Sequence, residues 1–400
     1  MPVFGSGHPA VVPPASSVRA PSIIVGVTDS QTCLVLKGRL RMLREAGFCV
    51  TVISSPGAHL NRIADSEGVA WKAVPMCRQI APFADIVSLV RIWKLLGSLK
   101  PDLVEFSTPK AGLLGTLAAM LRGVPQRTYM LRGLKLETAT GIKRTVLLAA
   151  ERLASACAHA VLCNSESLRS RALALGIAPA SKLHLLGEGS SNGVDMDRYS
   201  PGPTDVRERF LIPPDAPIVG FVGRFTRDKG LPELIQAFNS ILQKMPETHL
   251  LLVGWFDASE DALGKDLRAR IERHPQIRLA GFVECAAPFY RAMDMLVLPT
   301  WREGFPNVVL EAAATGIPVI TTEATGSRDS VLPEVTGLLI QPGYPDGISE
   351  AVLGLLRDPE RRLRMGLAAR AWVFEHFIDE RVLGLIAAYY KRQLKPDVQI

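Results

Sequence analysis

Short apolar runs, almost free of charge, alternate with helical patterns along nearly the whole 400-residue chain, and this alternation constrains the fold most. In the first half the strand-like runs are Ser22–Thr28, Cys49–Ser54, Ala70–Val74, Leu103–Phe106, Gln126–Leu131 and Ala160–Cys163. Helical patterns lie between them, among them Leu34–Ala46, Ile86–Leu99, Ala111–Arg122 and Arg144–Ala156. The series restarts at Pro217 with Ile218-Val219-Gly220-Phe221-Val222-Gly223. It continues through His249–Val253, Ile277–Ala280, Met295–Leu298, Val319–Thr322 and Leu338–Ile340. Buried strands separated by helices pair in parallel through right-handed crossovers. Two such series predict an α/β protein of two Rossmann-like domains whose parallel sheets face a shared cleft, with ligands at the carboxyl ends of the strands. Pro201-Gly202-Pro203 reads as the linker. The expected division is a disordered tail over 1–20, an N-terminal domain over 21–200 and a C-terminal domain over 201–378. A final amphipathic helix within 379–400 is expected to pack back on the first domain.

Six cysteines stand at 33, 49, 77, 157, 163 and 285, without a C-x-x-C pair, so no metal or disulfide framework follows and a reducing cytoplasm is the default. None of the seven histidines pairs with another at metal-ligand spacing. Residues 1–20 lack the basic start and long apolar stretch of a signal peptide, and no uncharged apolar run reaches the ~18 residues of a membrane span. Charge is uneven. Residues 1–200 carry 23 Lys/Arg against 13 Asp/Glu (+10), and residues 201–400 carry 23 against 26 (−3). The first half should therefore face something anionic. The aromatic-basic interleaving of an RNA platform is missing, which ranks nucleic acid last. Ile80–Lys100 and Gly141–Arg152 mix basic and apolar residues, as helices lying on an anionic membrane do, although core-facing helices with basic outer faces read the same way.

Several strand ends carry chemistry. Gly223-Arg224-Phe225-Thr226-Arg227-Asp228-Lys229-Gly230 offers glycines and cations after the opening strand of the second domain, which makes an anion cradle or a charged turn. Arg302-Glu303-Gly304-Phe305-Pro306-Asn307-Val308-Val309-Leu310-Glu311 puts one carboxylate before a helix and another inside it. Pro306 suits the first helical turn, Gly316 and Pro318 stop the helix, and its N-terminus suits a phosphate. Gly38 marks the first strand–helix junction, Lys110 follows the helix-opening Pro109, and Arg132-Gly133 follows the Gln126–Leu131 strand. Arg132 reads equally as a phosphate contact or as a salt bridge to Glu137 or Glu105. Asp195-Met196-Asp197 matches a D-x-D metal motif but sits in a turn, and no metal site is assigned to it.

These motifs together resemble the GT-B glycosyltransferases of family 4, over roughly residues 21–378. The resemblance rests on Glu303 and Glu311 as an E-x7-E pair and on Gly223-Arg224 with Lys229-Gly230. The ordered set Leu252-Val253-Gly254, Leu279–Val283, Tyr290–Asp294 and Leu298-Pro299-Thr300 supports it. Ser107–Gly115 and Asn192–Asp195 are similar to the branch that builds capsule, O-antigen and exopolysaccharide units on polyprenyl diphosphate. The resemblance implies that Arg224 and Lys229 hold the donor diphosphate, that Glu311 binds the ribose, and that Glu303 with the backbone of Phe305, Pro306 and Asn307 contacts the donor sugar. It also implies that Gly38 approaches the diphosphate from the first domain and that the backbone at Phe282 and Val283 meets a uracil base. Two departures stand out: Arg132-Gly133 occupies the place of a frequent His-Gly, and Glu105 that of a frequent His.

The activity this implies is retaining transfer of a hexose or N-acetylhexosamine from a UDP-sugar, with no separate cofactor or metal, to a polyprenyl-diphosphate-linked saccharide. The catalytic set would be Arg224, Lys229, Glu303 and Arg132, at the inner face of the cytoplasmic membrane. A UDP-sugar 2-epimerase on the same frame would need acid/base carboxylates and histidines in the cleft, where this chain offers mostly Arg and Lys. A non-catalytic, membrane-associated binding protein would have no use for the paired Glu303/Glu311 and Arg224/Lys229.

Overall fold

The computed structural model describes residues 19–257 and 261–394; the expected tail, apart from its last two residues, lies outside them. Seven strands form the first sheet: β1 (Ser22–Gly26), β2 (Cys49–Ser54), β3 (Ala70–Ala73), β4 (Leu103–Ser107), β5 (Gln126–Leu131), β6 (Ala160–Cys163) and β7 (Leu183–Leu185). They run in the order β3-β2-β1-β4-β5-β6-β7, all pairs parallel. Six more form the second: β8 (Ile218–Phe225), β9 (His249–Phe256), β10 (Ile277–Gly281), β11 (Met295–Leu298), β12 (Val319–Thr322) and β13 (Gly337–Ile340). Their order is β10-β9-β8-β11-β12-β13, again parallel throughout. The central strands β1, β4 and β11 are buried along their whole length, as strands covered by helices on both faces must be. In each sheet the strand order reverses direction once, between β1 and β4 and between β8 and β11. Those reversals open the crevices in which such sheets hold ligands.

Three local features differ from the sequence reading. The Leu34–Ala46 pattern is two elements, a 3-10 segment Ser30–Leu36 and a helix Arg39–Glu45, separated at Gly38 by a positive φ of 79°. β8 runs on to Phe225, so Gly223 and Arg224 lie inside a strand, not after it. Gly223 pairs there with Gly254, where a Cβ would stand 1.8 Å from the Gly223 carbonyl oxygen. Pro306 stands one residue ahead of its helix, Asn307–Ala314, with extended backbone (φ −79°, ψ 105°).

The two sheets are joined by two chain crossings laid side by side. Val194 donates to the Phe377 carbonyl (2.8 Å) and accepts from the Asp379 N–H (3.2 Å). This puts the crossing a few residues before Pro201-Gly202-Pro203. Ser200 already belongs to the second unit, its carbonyl accepting from Arg291 Nε at 2.8 Å. One face of the first sheet shares a continuous apolar core with the last helix (Val382, Leu383, Ile386, Tyr390) and with Phe305, Leu310, Val373 and Phe377. The last helix, Asp379–Leu394, thus packs on the first sheet's side, against Arg39–Glu45.

The other face of the first sheet carries the helices Pro82–Leu99, Pro109–Leu121 and Gly141–Cys157, the middle one in contact with each of the others. Glu151 of the third is buried against the sheet, accepting from the Tyr129 hydroxyl at 2.7 Å. Burial pushes its carboxyl up to about 7, against the opposing pull of that hydrogen bond. The folded chain therefore holds a proton that the unfolded chain, with an ordinary Glu near 4.5, has already released. Stability contributed by this group is full at acid pH and is lost as pH rises through about 7. Glu151→Gln, which stays neutral, should raise the melting temperature at pH 8, by a gain on the order of 1–3 kcal/mol, and leave it nearly unchanged at pH 5. Equal shifts at both pH values would show that the carboxyl does not titrate in this window.

Candidate functional site

The carboxyl ends of β8 and β11 flank the second sheet's reversal point, and two loops meet there. The first leaves β8 and makes a single 3-10 turn at Arg227–Lys229 before Gly230 opens the helix Leu231–Lys244. Gly230 has φ 72°, and a Cβ on it would fall 1.9 Å from the Pro299 carbonyl oxygen, so only glycine lets the two loops come this close. The second loop runs from Pro299 to Pro306. It is pinned to the first by Trp301 N–H and Thr300 Oγ1, both donating to the Asp228 carbonyl (2.9 and 3.1 Å).

Asp228 organises the charges. It is buried; its Oδ2 lies 2.7 Å from Arg302 Nη2 and 3.8 Å from Arg224 Nη2, and its Oδ1 accepts from Thr226 Oγ1 at 2.6 Å. Burial alone would raise its pKa, but Lys229, Arg302, the Thr226 hydroxyl and Arg224 outweigh that and hold it below the usual carboxylate range. Arg224 also pairs with Asp257 at 2.9 Å, and Lys229 Nζ bonds the Glu303 carboxylate. The two loops read as cradle and carboxylate pair thus converge, but with Arg224 and Lys229 already held by acids of the chain, not bare. A lone acid among cations, as at Asp228, was the available signal for this anchor; Asp257 and Arg302 carried none that stood out.

Glu311 lies one turn inside the helix Asn307–Ala314, whose N-terminus has no side-chain cap. Its Oε2 accepts from Tyr290 OH at 2.9 Å. Enclosure of the carboxyl raises its pKa, while hydrogen bonds from Tyr290 and Tyr199 and the charge of Arg198 pull the other way. Tyr199 and Tyr290 stack edge-to-face at 6.1 Å; Tyr199 was not picked out in the sequence, and Tyr290 only as the start of the Tyr290–Asp294 run, with no role assigned. Phe282 follows β10, about half exposed and edge-on to Trp255 at 5.4 Å, with the partly buried Val283 beside it. The Phe305 ring is turned away into the core, 5.2 Å from Phe377, leaving only its backbone for a ligand.

From the first sheet, the Arg132-Gly133 backbone reaches this loop. A Cβ on Gly133 would lie 3.2 Å from Gly304 N, and one on Gly304 2.2 Å from the Arg132 carbonyl oxygen. The Arg132 side chain does not point the same way. Its Nη1 donates to Ser191 Oγ (2.7 Å), and its Nε and Nη2 are buried without a partner among the described residues. Burial lowers its pKa to about 10, Arg39 adds to the fall, and Glu105 and Tyr390 oppose it. Gly38 is open on its Cα side, with Leu383 Cδ1 the nearest atom to a Cβ built there, at 3.9 Å. Lys110 is taken up by Asp85 at 2.6 Å. Asp195 caps its own turn by accepting from the N–H groups of Asp197 and Arg198 (3.1 and 2.9 Å). Among the described residues no group of three or more His, Cys, Asp or Glu is placed to hold a metal ion.

The chemistry this arrangement offers is anion binding by Arg224, Lys229 and a helix N-terminus, next to carboxylates suited to sugar hydroxyls. Residues 216–358 match the family model for glycosyl transferases group 1, and residues 38–189 match that for the glycosyl transferase 4-like domain. The chain is 35% identical to the capsular polysaccharide biosynthesis glycosyltransferase CapM of Staphylococcus aureus, over 92% of this chain and 96% of that protein. It is 25% identical to the UDP-Gal:alpha-D-GlcNAc-diphosphoundecaprenol alpha-1,3-galactosyltransferase of Escherichia coli, over 79% and 82%. In fold it is similar to Anabaena Alr3699/HepE, solved in complex with UDP-glucose. The TM-score is 0.77 and the identity 19%, covering 92% of this chain and 99% of the other.

Proposed function

The chain belongs to the group 1 glycosyltransferases, and from that premise we propose that it moves a hexose or N-acetylhexosamine from a UDP-sugar, with retention of configuration, onto a polyprenyl-diphosphate-linked saccharide during assembly of a capsular or related surface polysaccharide. The observation that carries this reading is the meeting of Lys229, Glu303, Arg302 and Asp228 at the β8/β11 reversal, one turn of helix from Glu311. On donor binding, Lys229 and Arg224 exchange their carboxylate partners for diphosphate oxygens, which frees Glu303 for the sugar hydroxyls. The bond from the anomeric carbon to the diphosphate oxygen breaks and the acceptor oxygen bonds that carbon on the same face. The acceptor proton passes to the departing diphosphate. Stabilising that diphosphate is the main catalytic contribution, and fixed cations supply it without requiring a divalent metal.

The acceptor's lipid has a matching surface. Ile80, Phe83 (89% exposed), Ile86, Val87 and Val90 stand out of and beside the helix Pro82–Leu99, and Ile142 (84% exposed) and Val146 out of Gly141–Cys157. Arg91, Lys94, Lys143 and Arg144 lie on the same two helices. Apolar side chains among cations fit an anionic bilayer, and we place the chain at the inner face of the cytoplasmic membrane. No helix among the described residues is long and apolar enough to cross it.

The test is transfer of label from UDP-glucose, UDP-galactose or UDP-N-acetylglucosamine to a polyprenyl-diphosphate saccharide in phosphatidylglycerol vesicles, with the anomeric configuration read by NMR. Phe83→Asp combined with Ile86→Asp should abolish vesicle co-sedimentation and reduce turnover on vesicle-borne acceptor at least about tenfold, with UDP affinity unchanged. A new UDP-sugar formed without acceptor would instead indicate an epimerase, and failure to bind any UDP-sugar a non-catalytic protein.

A further inference from the structure

Glu303 is set in place by a turn that the opposite domain grips. Its backbone N–H donates to the Thr325 carbonyl at 3.0 Å. Gly326, with φ 77°, lies so close behind that a Cβ there would be 2.6 Å from the Glu303 carbonyl oxygen and 2.5 Å from that of Gly304. The Thr325–Ser330 turn, which follows β12 in the second domain, is held by first-domain groups along its length. Thr325 Oγ1 donates to Glu137 Oε1 at 2.7 Å, and Gly326 N–H donates to Ser167 Oγ at 2.7 Å. Asp329 accepts from the Ser167 N–H at 3.0 Å and from the Ser167 hydroxyl. Ser167 sits in the first turn of the helix Glu166–Ala174, so Asp329 supplies an anion to a helix N-terminus of the other domain. Arg302 Nε, next to Glu303, donates to Thr138 Oγ1 at 2.9 Å.

We propose that Ser167, Glu137, Thr325 and Asp329 form a clasp between the domains that positions Glu303 for the donor sugar. The inference rests on the reading of Glu303 as the sugar-contacting carboxylate. None of the four touches donor in this account; they act through the turn that carries the Thr325 carbonyl. A carboxylate backed by a turn whose anchors exist only when the domains are together is held firmly only then, which ties reaction to closure. The side chains assigned to UDP, Lys229, Arg224 and Glu311, all belong to the second domain, so nucleotide binding should not depend on the clasp.

The experiment compares Asp329→Asn and Ser167→Ala with the full-length wild type. Three quantities are measured: turnover of UDP-sugar, UDP affinity by calorimetry, and interdomain distance by small-angle scattering with UDP bound. Each variant should lose about tenfold in kcat, keep UDP affinity within twofold, and show a more open UDP complex. The double variant should lose little more than either single one, because both cut the same link. A kcat within twofold of wild type for both, or a parallel loss of kcat and UDP affinity, overturns the clasp. Ser167→Ala removes one hydroxyl from a partly exposed helix start, so it decides the matter even where Asp329→Asn folds poorly. Glu303→Gln separates the two layers. If it is as active as wild type, the reading of Glu303 fails; if it is inactive while the clasp variants are normal, only the clasp fails.

Discussion

Lys229→Ala should lower turnover by two orders of magnitude or more while leaving the protein folded. Lys229 Nζ is the cation that reaches the second loop of the site, bonding Glu303 across the β8/β11 crevice, and its side chain is only 16% exposed. A fixed cation in such a partly dry position gives its largest benefit when the leaving diphosphate gains charge. Removal of one preorganised donor to a developing anion costs about 10²–10³ in rate in systems where it has been measured. The fold should tolerate the change because Asp228 and Arg302 still hold the two loops together, and because Glu303 keeps a partly exposed carboxylate that water can serve. Lys229→Arg should recover part of the rate and none of the fine positioning, since a planar fork replaces a point charge. Steady-state kinetics with saturating donor, read beside a thermal melt, checks this. Turnover within threefold of wild type in Lys229→Ala would remove the residue from the catalytic set. The same measurement on Glu311→Ala should show the loss mainly as weaker UDP binding, since Glu311 is assigned to the ribose and not to the reacting bonds.

That site was legible in the sequence where chemistry and strand ends coincide. β8 and β11 are uninterrupted apolar runs, so their ends could be placed, and Gly230 and Gly304 mark places where backbone must pass close to backbone. What lies far apart in sequence was not legible. Nothing in residues 224–311 indicates that Tyr290 and Tyr199 would donate to Glu311, or that Asp257 would take Arg224. β7 spans only Leu183–Leu185, too short for an alternation to register, and the separate 3-10 segment ahead of Gly38 is hidden because apolar residues recur on both sides of that junction. For Arg132 the sequence offered Glu105 as one of two acidic neighbours, but not the direction of the side chain. Its neighbours Ser191, Arg39, Glu105 and Tyr390 come from five different places in the chain once Arg132 itself is counted, and only the folded sheet gathers them. The interdomain clasp belongs to the same class: Ser167 and Asp329 are 162 positions apart.

Glu105→Ala should be among the most destabilising single changes in the molecule. Glu105 lies in the middle of β4, at the first sheet's own reversal point, and is wholly buried together with Arg39 and Tyr390. One of its oxygens accepts from both Arg39 Nη2 and the Tyr390 hydroxyl, and Arg39 Nη2 is also 3.1 Å from that hydroxyl. Among the charges that act on Arg132, Glu105 is the sole carboxylate, so it is the one anion facing two guanidinium groups. Removing it leaves buried positive charge with nothing to balance it, a change that costs about 3–5 kcal/mol when one partner of a buried pair is deleted. Tyr390→Phe keeps the ring in the core and loses one hydrogen bond to a charged group, about 1.5–3 kcal/mol. Because Tyr390 is carried by the last helix, both variants should release that helix first, seen as early exchange of its backbone amides. Pairing Glu105→Leu with Arg39→Met removes both charges and should recover most of the loss, since a buried pair is costly to break but cheap to replace by apolar side chains. Denaturant unfolding of the four proteins, followed through the first domain, tests the whole argument. A Glu105→Ala variant as stable as wild type, or a double replacement no better than the single one, would mean that water reaches this cluster and that its charges are not truly buried.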